Sequence, residues 1–201
     1  MLPQALTNAI EALAMLPGVG SKTAERYAYY LFKANDKVAE GISEALSNLH
    51  SGVKSCPVTF ALIDANDDVS PLYSDVSRDK ATVMVVEVPL DIYAIEQTKG
   101  YKGTYHVLGG AISPIDGVTP EQLHIGELIK RINNDNVQEV IIATNPSVEG
   151  ESTALFLEKI LHEQNPNLKL TRLARGLPLG VDLSYADQIT LSAALENRTD
   201  L

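Results

Sequence analysis

Two glutamates that flank a glycine, Glu149 and Glu151, follow the most clearly buried strand that the sequence contains. The run 140–143 is short, mostly β-branched and bounded by turn-forming residues, which is typical of a strand buried on both faces of a parallel sheet. Ligands collect at the carboxyl ends of such strands, so Glu149-Gly150-Glu151, predicted to lie in a turn, is a candidate site. A second interpretation is that these glutamates only complement the dipole of the helix predicted at 152–161.

A second candidate site is the string LPGVGSKTAER near the N-terminus. Gly18 and Gly20 predict a tight turn, and Ser21 is the predicted N-cap of the helix that follows. Lys22 and Arg26 are four residues apart, so they share one helix face. Backbone N–H groups of such a turn hold a phosphate without reading a base, which predicts salt-sensitive, non-specific DNA binding. The alternative is an ordinary helical hairpin with a solvated basic edge.

Composition limits the classes of protein that fit. A chain of 201 residues, 45% of them hydrophobic, is long enough for one large or two small domains. The net charge of −10 argues against a generally basic protein that coats nucleic acid, although a local basic face is compatible with it. We expect a soluble cytoplasmic protein, because no leader-like segment is present and apolar runs such as 12–16 are too short to span a bilayer.

Apolar periodicity predicts the elements that position these sites. Three N-terminal helices are predicted at 2–15, 22–33 and 37–49. Strands that alternate with helices from residue 81 predict parallel crossovers and a layered α/β domain, with strands at 82–86, 105–108, 140–143 and 168–173 and helices at 90–98, 119–133, 152–161 and 190–197. The inward-facing residues of the second and third helices are predicted to be Ala24, Tyr27, Ala28, Leu31, Val38, Ile42, Ala45, Leu46 and Leu49.

Residues 50–80 differ from both neighbouring regions, because their short apolar groups are broken by polar turn formers. They predict a small β-rich module whose best strand is 58–63. The single cysteine, Cys56, excludes an intramolecular disulfide and a thiolate-rich zinc site.

The ends of two predicted strands resemble the Toprim domain of topoisomerases and primases, whose enzymes carry a glutamate after the first strand and an Asp-x-Asp pair before Glu-Gly-Glu. Glu87, Glu149 and Glu151 match this pattern, whereas Asn145 and Ser147 stand at the two aspartate positions. In the family those acids hold magnesium for phosphoryl or strand transfer. The loss of two carboxylates predicts weakened magnesium binding and no phosphoryl transfer. A magnesium-dependent Toprim nuclease or primase is the alternative function.

The order of motifs along the whole chain resembles the RecR family of bacterial recombination mediators. Its strings here include LPGVGSKTAER, SDVSRDK, VVEVPLDIYAIEQT, ATNPSVEGE and ARGLPLG. The resemblance implies a non-enzymatic DNA-repair mediator, without a cofactor, that works with RecO, and in some settings RecF, to load RecA on single-stranded DNA covered by single-strand-binding protein. It also implies binding to single-stranded and gapped DNA and assembly into a homo-oligomer, a dimer or a tetramer ring.

The resemblance also implies roles for particular residues. The turn of Gly18 and Gly20, with Lys22 and Arg26, would face DNA, and Glu87, Glu149 and Glu151 would lie at the RecO contact. The predicted parts are an all-α helix-hairpin-helix region at 1–52, a β-rich module at 53–80, a parallel-sheet Toprim domain at 81–175 and a tail at 176–201. The tail begins with a Gly/Pro hinge at 176–180 and is expected to contact a neighbouring subunit. A scaffold without DNA contact, in which the two basic side chains are only solvated, is a third interpretation.

One departure from the family concerns zinc. The family usually carries a four-cysteine zinc site in the module, but the corresponding positions here are Val53, Cys56, Ser70 and Tyr73. One thiolate is too few for a structural zinc site, so we predict no zinc. A small apolar core is predicted in its place, made of Val58, Phe60, Leu62, Ile63 and Leu72.

Overall fold

The computed structural model describes residues 2–174, 176–177, 180 and 182–198. The chain forms two compact units, Met1–Lys54 and Ser55–Leu201. The first unit is all-α and the second is a mixed α/β unit built on a parallel sheet, as predicted. The finer division into four parts stays a prediction.

Three helices make up the first unit: α1 (Gln4–Ala14), α2 (Ser21–Lys33) and α3 (Asp36–Gly52). Helix α1 packs on α2, whose Ala24 and Ala28 are buried. Two predictions about α2 are wrong. Its N-cap is Gly20 rather than Ser21, which is already helical, and Tyr27 is 43% exposed instead of facing inward.

Helix α3 differs from its prediction more strongly. The Asn35 side chain caps it by accepting the Lys37 N–H at 3.1 Å, and its apolar residues recur at helical spacing. None of those residues is buried, however, so the prediction that they face inward is wrong: Val38, Ile42, Ala45, Leu46 and Leu49. Periodicity identifies an apolar face but does not say what covers it.

Residues 53–80 contain β1 (Val53–Ser55), β2 (Leu62–Asp64) and α4 (Pro71–Ser74). The predicted strand at 58–63 is wrong, because a turn occupies its first half and Phe60 has a positive φ of 58°. Of the predicted apolar core, Ile63 is buried, whereas Leu62 is 54% exposed. The other three members, Val58, Phe60 and Leu72, are half-buried.

The sheet of the second unit confirms the predicted parallel architecture. Its strands are β3 (Asp79–Val86), β4 (Gly103–Val107), β5 (Glu139–Ile142) and β6 (Lys169–Arg172), in the spatial order β4-β3-β5-β6 with every neighbouring pair parallel. The helices that connect consecutive strands are α5 (Pro89–Glu96), α6 (Ile125–Asn134) and α7 (Val148–Gln164). Because all four strands run the same way, the segments after β3, β4 and β5 start from one edge of the sheet.

Two hydrophobic clusters cover the two faces of this sheet. On one face the odd-numbered valines of β3 pack with residues of β5, α6 and α7: Val83, Val85, Val140, Ile142, Leu128, Ile132, Leu157 and Leu161. On the other face the alternate residues of β3 and β4 pack with α5 and with Ala61: Met84, Val86, Tyr105, Val107 and Ile92. Side chains alternate between faces along a strand, so a sheet covered on both sides needs this nearly continuous apolar sequence.

Two predicted helices have different bounds in the structure. The predicted helix at 119–133 is interrupted, because a short 3₁₀ turn, Pro120–Gln122, precedes α6. Helix α7 begins at Val148, so Glu149 and Glu151 lie in its first turn and not in a preceding loop. In the tail, a 3₁₀ turn (Leu183–Tyr185) precedes α8 (Gln188–Glu196). The predicted hinge at 176–180 includes Pro178 and Leu179, which lie outside the described residues.

Candidate functional site

The turn between α1 and α2 is open and presents backbone groups. Gly18 has a φ of +80°, a conformation that favours glycine, and the Val19 N–H donates to the Leu16 carbonyl at 3.1 Å. The Gly20 carbonyl accepts the N–H groups of Thr23 and Ala24 at 3.0 Å. Apart from the adjoining residues, no atom of the described part of the chain lies within 4 Å of where a Cβ on Gly18 or Gly20 would be. The turn is therefore not crowded at these two glycines, and it leads directly into the N-terminus of α2.

The two predicted basic side chains lie on α2 close to this turn. Lys22 and Arg26 are both exposed and one helical turn apart. The Arg26 guanidinium lies 5.7 Å from the centre of the Tyr27 ring, a cation–π contact on an exposed surface. The glycine turn and the two cations are thus neighbours at the start of α2, an arrangement that is compatible with phosphate binding.

The predicted acidic residues converge at the carboxyl edge of the sheet. Glu87 directly follows β3 and is only 7% exposed. Its Oε1 accepts the backbone N–H of Asn145 at 2.8 Å, and its Oε2 accepts the side-chain amide of the same residue at 2.5 Å. We call residues 145–151, which comprise the end of the connection from β5 and the first turn of α7, the acid loop. Glu87 is therefore bound at both carboxylate oxygens by one residue of this loop.

Gly150 allows this close arrangement. A Cβ at this position would lie 2.8 Å from Glu87 Oε1 and closer still to the carbonyl oxygen of Asn145. The Ser147 side chain caps α7 by accepting the Gly150 N–H at 3.0 Å, which places Gly150 against both partners. Glycine at position 150 thus has a steric reason in addition to any functional one.

The other two glutamates are more accessible than Glu87. Glu149 and Glu151 are half-buried in the first turn of α7, where a negative charge complements the helix dipole. Glu151 Oε1 pairs with the Arg172 guanidinium at 3.0 Å, and both side chains of this ion pair are about one-third exposed. The Glu149 carbonyl accepts the Thr153 hydroxyl at 2.7 Å. Both interpretations from the sequence, a ligand site and dipole complementation, are compatible with this geometry.

Three family models match successive parts of the chain. A model described as "RecR, helix-hairpin-helix" matches residues 6–50, one described as "Toprim domain" matches 81–174, and one described as "RecR, C-terminal" matches 176–199. The recombination protein RecR of Myxococcus xanthus (strain DK1622) is 44% identical over 201 residues, which is the full length of both chains.

The chain belongs to the RecR family of recombination proteins.

Two further RecR relatives agree with this assignment. That of Treponema denticola is 43% identical over 194 residues, covering 96% of this chain and 97% of the relative. That of Heliobacterium modesticaldum is 46% identical over 192 residues, covering 96% and 94%. Membership of the RecR family assigns the chain a mediator role in DNA recombination and repair. Among the described residues, no helix has the length and apolar character that a membrane crossing requires.

The acid loop does not fit the magnesium site that Toprim enzymes carry. An amide and a hydroxyl, from Asn145 and Ser147, replace two carboxylates, and both side chains already serve Glu87 and the Gly150 N–H. Magnesium requires hard oxygen ligands, and the Asn145 donor nitrogen points at Glu87 instead. No cluster of three or more His, Cys, Asp or Glu side chains within the described ranges is arranged to hold a metal ion.

The zinc site that usually occurs in the RecR family does not fit this chain either. Cys56 is completely buried, and its Sγ accepts the backbone N–H groups of Thr59 at 3.4 Å and Ser70 at 3.2 Å. Burial raises the pKa of the Cys56 thiol, but the hydrogen bonds of Thr59, Val58 and Ser70 outweigh it, so the pKa lies below its usual value. The Cys56 sulfur thus accepts backbone N–H groups from two separate turns of the module.

Tyr73, at the fourth zinc-ligand position, joins the module to the sheet. Its hydroxyl donates to Asp135 Oδ1 at 3.0 Å, and Asp135 Oδ2 accepts from Arg131 Nε at 3.1 Å. Arg131 is 4% exposed and also donates to the Thr104 hydroxyl and the Tyr105 carbonyl of β4. The module is therefore connected to α6 and β4 by a chain of charge-assisted hydrogen bonds.

Two further contacts join the module to the rest of the second unit. The Phe60 ring stacks on His124 with ring centres 3.7 Å apart, and the Val107 N–H donates to the Thr59 carbonyl at 2.8 Å. The role of Tyr73 was not predicted from the sequence. The spacing of Arg131 and Asp135, four residues apart on a helix, is the one local signal of this network.

Proposed function

We propose that this RecR family member is a non-enzymatic mediator that binds single-stranded and gapped DNA without reading bases. Together with RecO, and in some settings RecF, it would load RecA onto single-stranded DNA that carries single-strand-binding protein. Identity of 43–46% over 192–201 residues to three recombination proteins RecR supports the mediator role. The proposal includes assembly into a dimer or tetramer ring through the tail at 176–201.

The DNA-binding part of the proposal is supported chiefly by the turn before α2. The turn is uncrowded at Gly18 and Gly20, and exposed Lys22 and Arg26 follow it in the first two turns of α2. A site of this kind contacts phosphates and not base edges, so its affinity depends on salt and only weakly on sequence. The acidic chain, with a net charge of −10, keeps such binding local to this face.

The partner-binding part of the proposal concerns the acid loop. Glu149 and Glu151 are half-buried there, and Val148, beside them at the start of α7, is 79% exposed. An acidic patch with an exposed apolar side chain suits a basic partner surface. Glu87 would act indirectly, because it is buried and both of its carboxylate oxygens are occupied.

The DNA-binding proposal is tested by charge reversal. Fluorescence anisotropy of labelled single-stranded and gapped DNA would be followed against salt for the wild type and Lys22→Glu/Arg26→Glu. Loss of two phosphate contacts on a single strand should weaken binding and flatten the logarithmic salt slope by about 1.4. Lys130→Glu/Lys159→Glu, two exposed lysines of the second unit, carries the same change in net charge and should keep the wild-type slope.

The outcomes separate the three functions that the sequence left open. Binding that is lost only in the hairpin variant, with intact DNA after incubation in magnesium, supports the mediator. Cleaved DNA would support a Toprim nuclease instead. Equal loss in both double variants, or no binding at low salt, would contradict a specific DNA face at the turn.

The partner contact needs its own experiment. Binding of RecO would be measured by calorimetry for Glu149→Gln/Glu151→Gln and for the control Glu158→Gln/Glu163→Gln, which removes two exposed carboxylates of the same helix. We expect the first variant to lose affinity by about tenfold or more and the second to keep it. Equal affinities for both variants would contradict a RecO contact at the acid loop.

A further inference from the structure

We propose that Asn145 is a positioning residue that takes the place of a bound cation: its two N–H donors hold Glu87 and keep the acid loop in its folded position without a metal.

The geometry supports this role directly. Glu87 ends β3, and Asn145 belongs to the loop that connects β5 to α7, so the two residues are 58 positions apart in sequence. Both donors come from one residue, and each binds a different carboxylate oxygen, at 2.8 and 2.5 Å. A divalent cation between two acids joins neighbouring strand ends in the same way, by bridging oxygens.

The chemistry of the amide explains how Asn145 can hold the Glu87 carboxylate without a positive charge. A buried carboxylate is costly unless donors satisfy it, and one uncharged residue supplies two donors here. An aspartate at position 145 would place a second carboxylate at hydrogen-bond distance from Glu87. Two carboxylates at this distance repel each other unless one takes up a proton or a cation lies between them. The change from amide to carboxylate is therefore expected to convert a metal-independent contact into a metal-dependent one.

Gly150 completes the arrangement from the helix side. The missing side chain lets α7 begin against the Asn145 carbonyl and Glu87, while Ser147 caps the helix. The clasp, which we define as the two hydrogen bonds between Asn145 and Glu87, thus fixes where the first turn of α7 starts relative to β3. Presentation of Glu149 and Glu151 to a partner would follow from this, and that consequence alone rests on the proposed function.

The test compares how magnesium affects the unfolding of four full-length proteins: the wild type, Asn145→Asp, Asn145→Ala and Asn167→Asp. Asn167 is exposed and lies in the turn between α7 and β6, so its substitution makes the same isosteric charge change outside the clasp. Thermal midpoints would be recorded at neutral pH in EDTA and then across millimolar magnesium at constant ionic strength. Neither DNA nor RecO is present, so the result does not depend on the proposed function.

We expect both Asn145 variants to unfold about 4–8 °C below the wild type in EDTA, because a hydrogen bond to a charged group is lost. Magnesium should restore the midpoint of Asn145→Asp and leave that of Asn145→Ala low. The wild type and Asn167→Asp should not respond to magnesium. A merely structural asparagine would give equal loss in both Asn145 variants without rescue.

Three results would overturn the proposal. The first is an unchanged midpoint of Asn145→Asp in EDTA, since the clasp would then contribute nothing. The second is a lowered midpoint that magnesium does not raise, since the amide would then not stand where a cation binds. The third is a wild-type midpoint that rises with magnesium as much as that of the aspartate variant.

Discussion

His106 gives this protein a pH dependence that can be calculated from its surroundings. Its side chain is completely buried in β4, and Nε2 donates to the His124 carbonyl at 2.8 Å. A carbonyl only accepts, so Nε2 carries the proton and the ring is neutral. Nδ1 is buried without a hydrogen-bond partner among the described residues, and the Phe60 ring lies edge-on at 5.5 Å. Protonation of Nδ1 would thus bury a charge with no acceptor.

The sign and the size of the effect follow from the pKa. Burial is the main reason why the pKa of His106 falls from 6.5 to about 3. In the unfolded chain the imidazole takes up a proton below pH 6.5, whereas in the folded protein it stays neutral until about pH 3. Stability is therefore fully present above pH 6.5 and is lost as the pH falls. Between pH 7 and pH 5 this one group should remove about 2 kcal/mol from the free energy of unfolding.

The perturbation is His106→Gln, which keeps a donor near the position of Nε2 but does not titrate. Urea unfolding followed by far-UV circular dichroism, at pH 7 and pH 5, gives the free energy of unfolding for the wild type and the variant. The loss between the two pH values should be about 2 kcal/mol smaller in the variant, whatever its absolute stability. His162→Gln, an exposed histidine in the last turn of α7, should keep the wild-type loss. If His106→Gln and the wild type lose stability equally, the assignment of a neutral, buried His106 is refuted.

Two further predictions concern the module at 53–80. Tyr73→Phe removes the hydroxyl that donates to Asp135, and we expect a loss of about 1–2 kcal/mol, seen as a thermal midpoint lower by about 2–8 °C; Tyr93→Phe, whose side chain is 69% exposed, should leave the midpoint unchanged, and equal midpoints for the two variants would contradict the anchoring role of Tyr73. Protein purified without added metal should contain far less than one zinc per chain by mass spectrometry, because Cys56 is the chain's single cysteine; stoichiometric zinc would contradict this prediction.

Local pattern was sufficient for most of the second unit. The runs that became β3, β4, β5 and β6 are short and apolar, and helical periodicity separates them, so a parallel α/β sheet could be predicted. The predicted ends of helices were less accurate than their existence, because capping interactions decide where a helix begins and ends. Ser147 caps α7 and extends it back over Glu149 and Glu151, and the 3₁₀ turn at Pro120–Gln122 splits a pattern that resembles one continuous helix.

For the candidate site residues too, the sequence predicted some features and not others. Both groups of candidate residues could be named from residue type and spacing, since a glycine turn before a basic helix and acids after buried strands have local signatures. The contacts of those residues could not be predicted. The sequence shows that an asparagine, Asn145, stands where Toprim enzymes have an aspartate. It does not show that Asn145 hydrogen-bonds to Glu87, because Glu87 is 58 residues away.

The sequence by itself determined the two kinds of unit, the parallel sheet and the order of motifs, because propensity, periodicity and turn chemistry act over a few residues. The tertiary structure alone decided how charges and donors are satisfied. It paired Tyr73 with Asp135 across 62 residues and left the apolar residues of α3 exposed. It also buried His106 within β4 and buried Arg131 against the same strand, where Arg131 donates to Thr104. Whether a polar group has a partner, or an apolar face a cover, depends on which distant segments folding brings together, and local pattern carries no record of that.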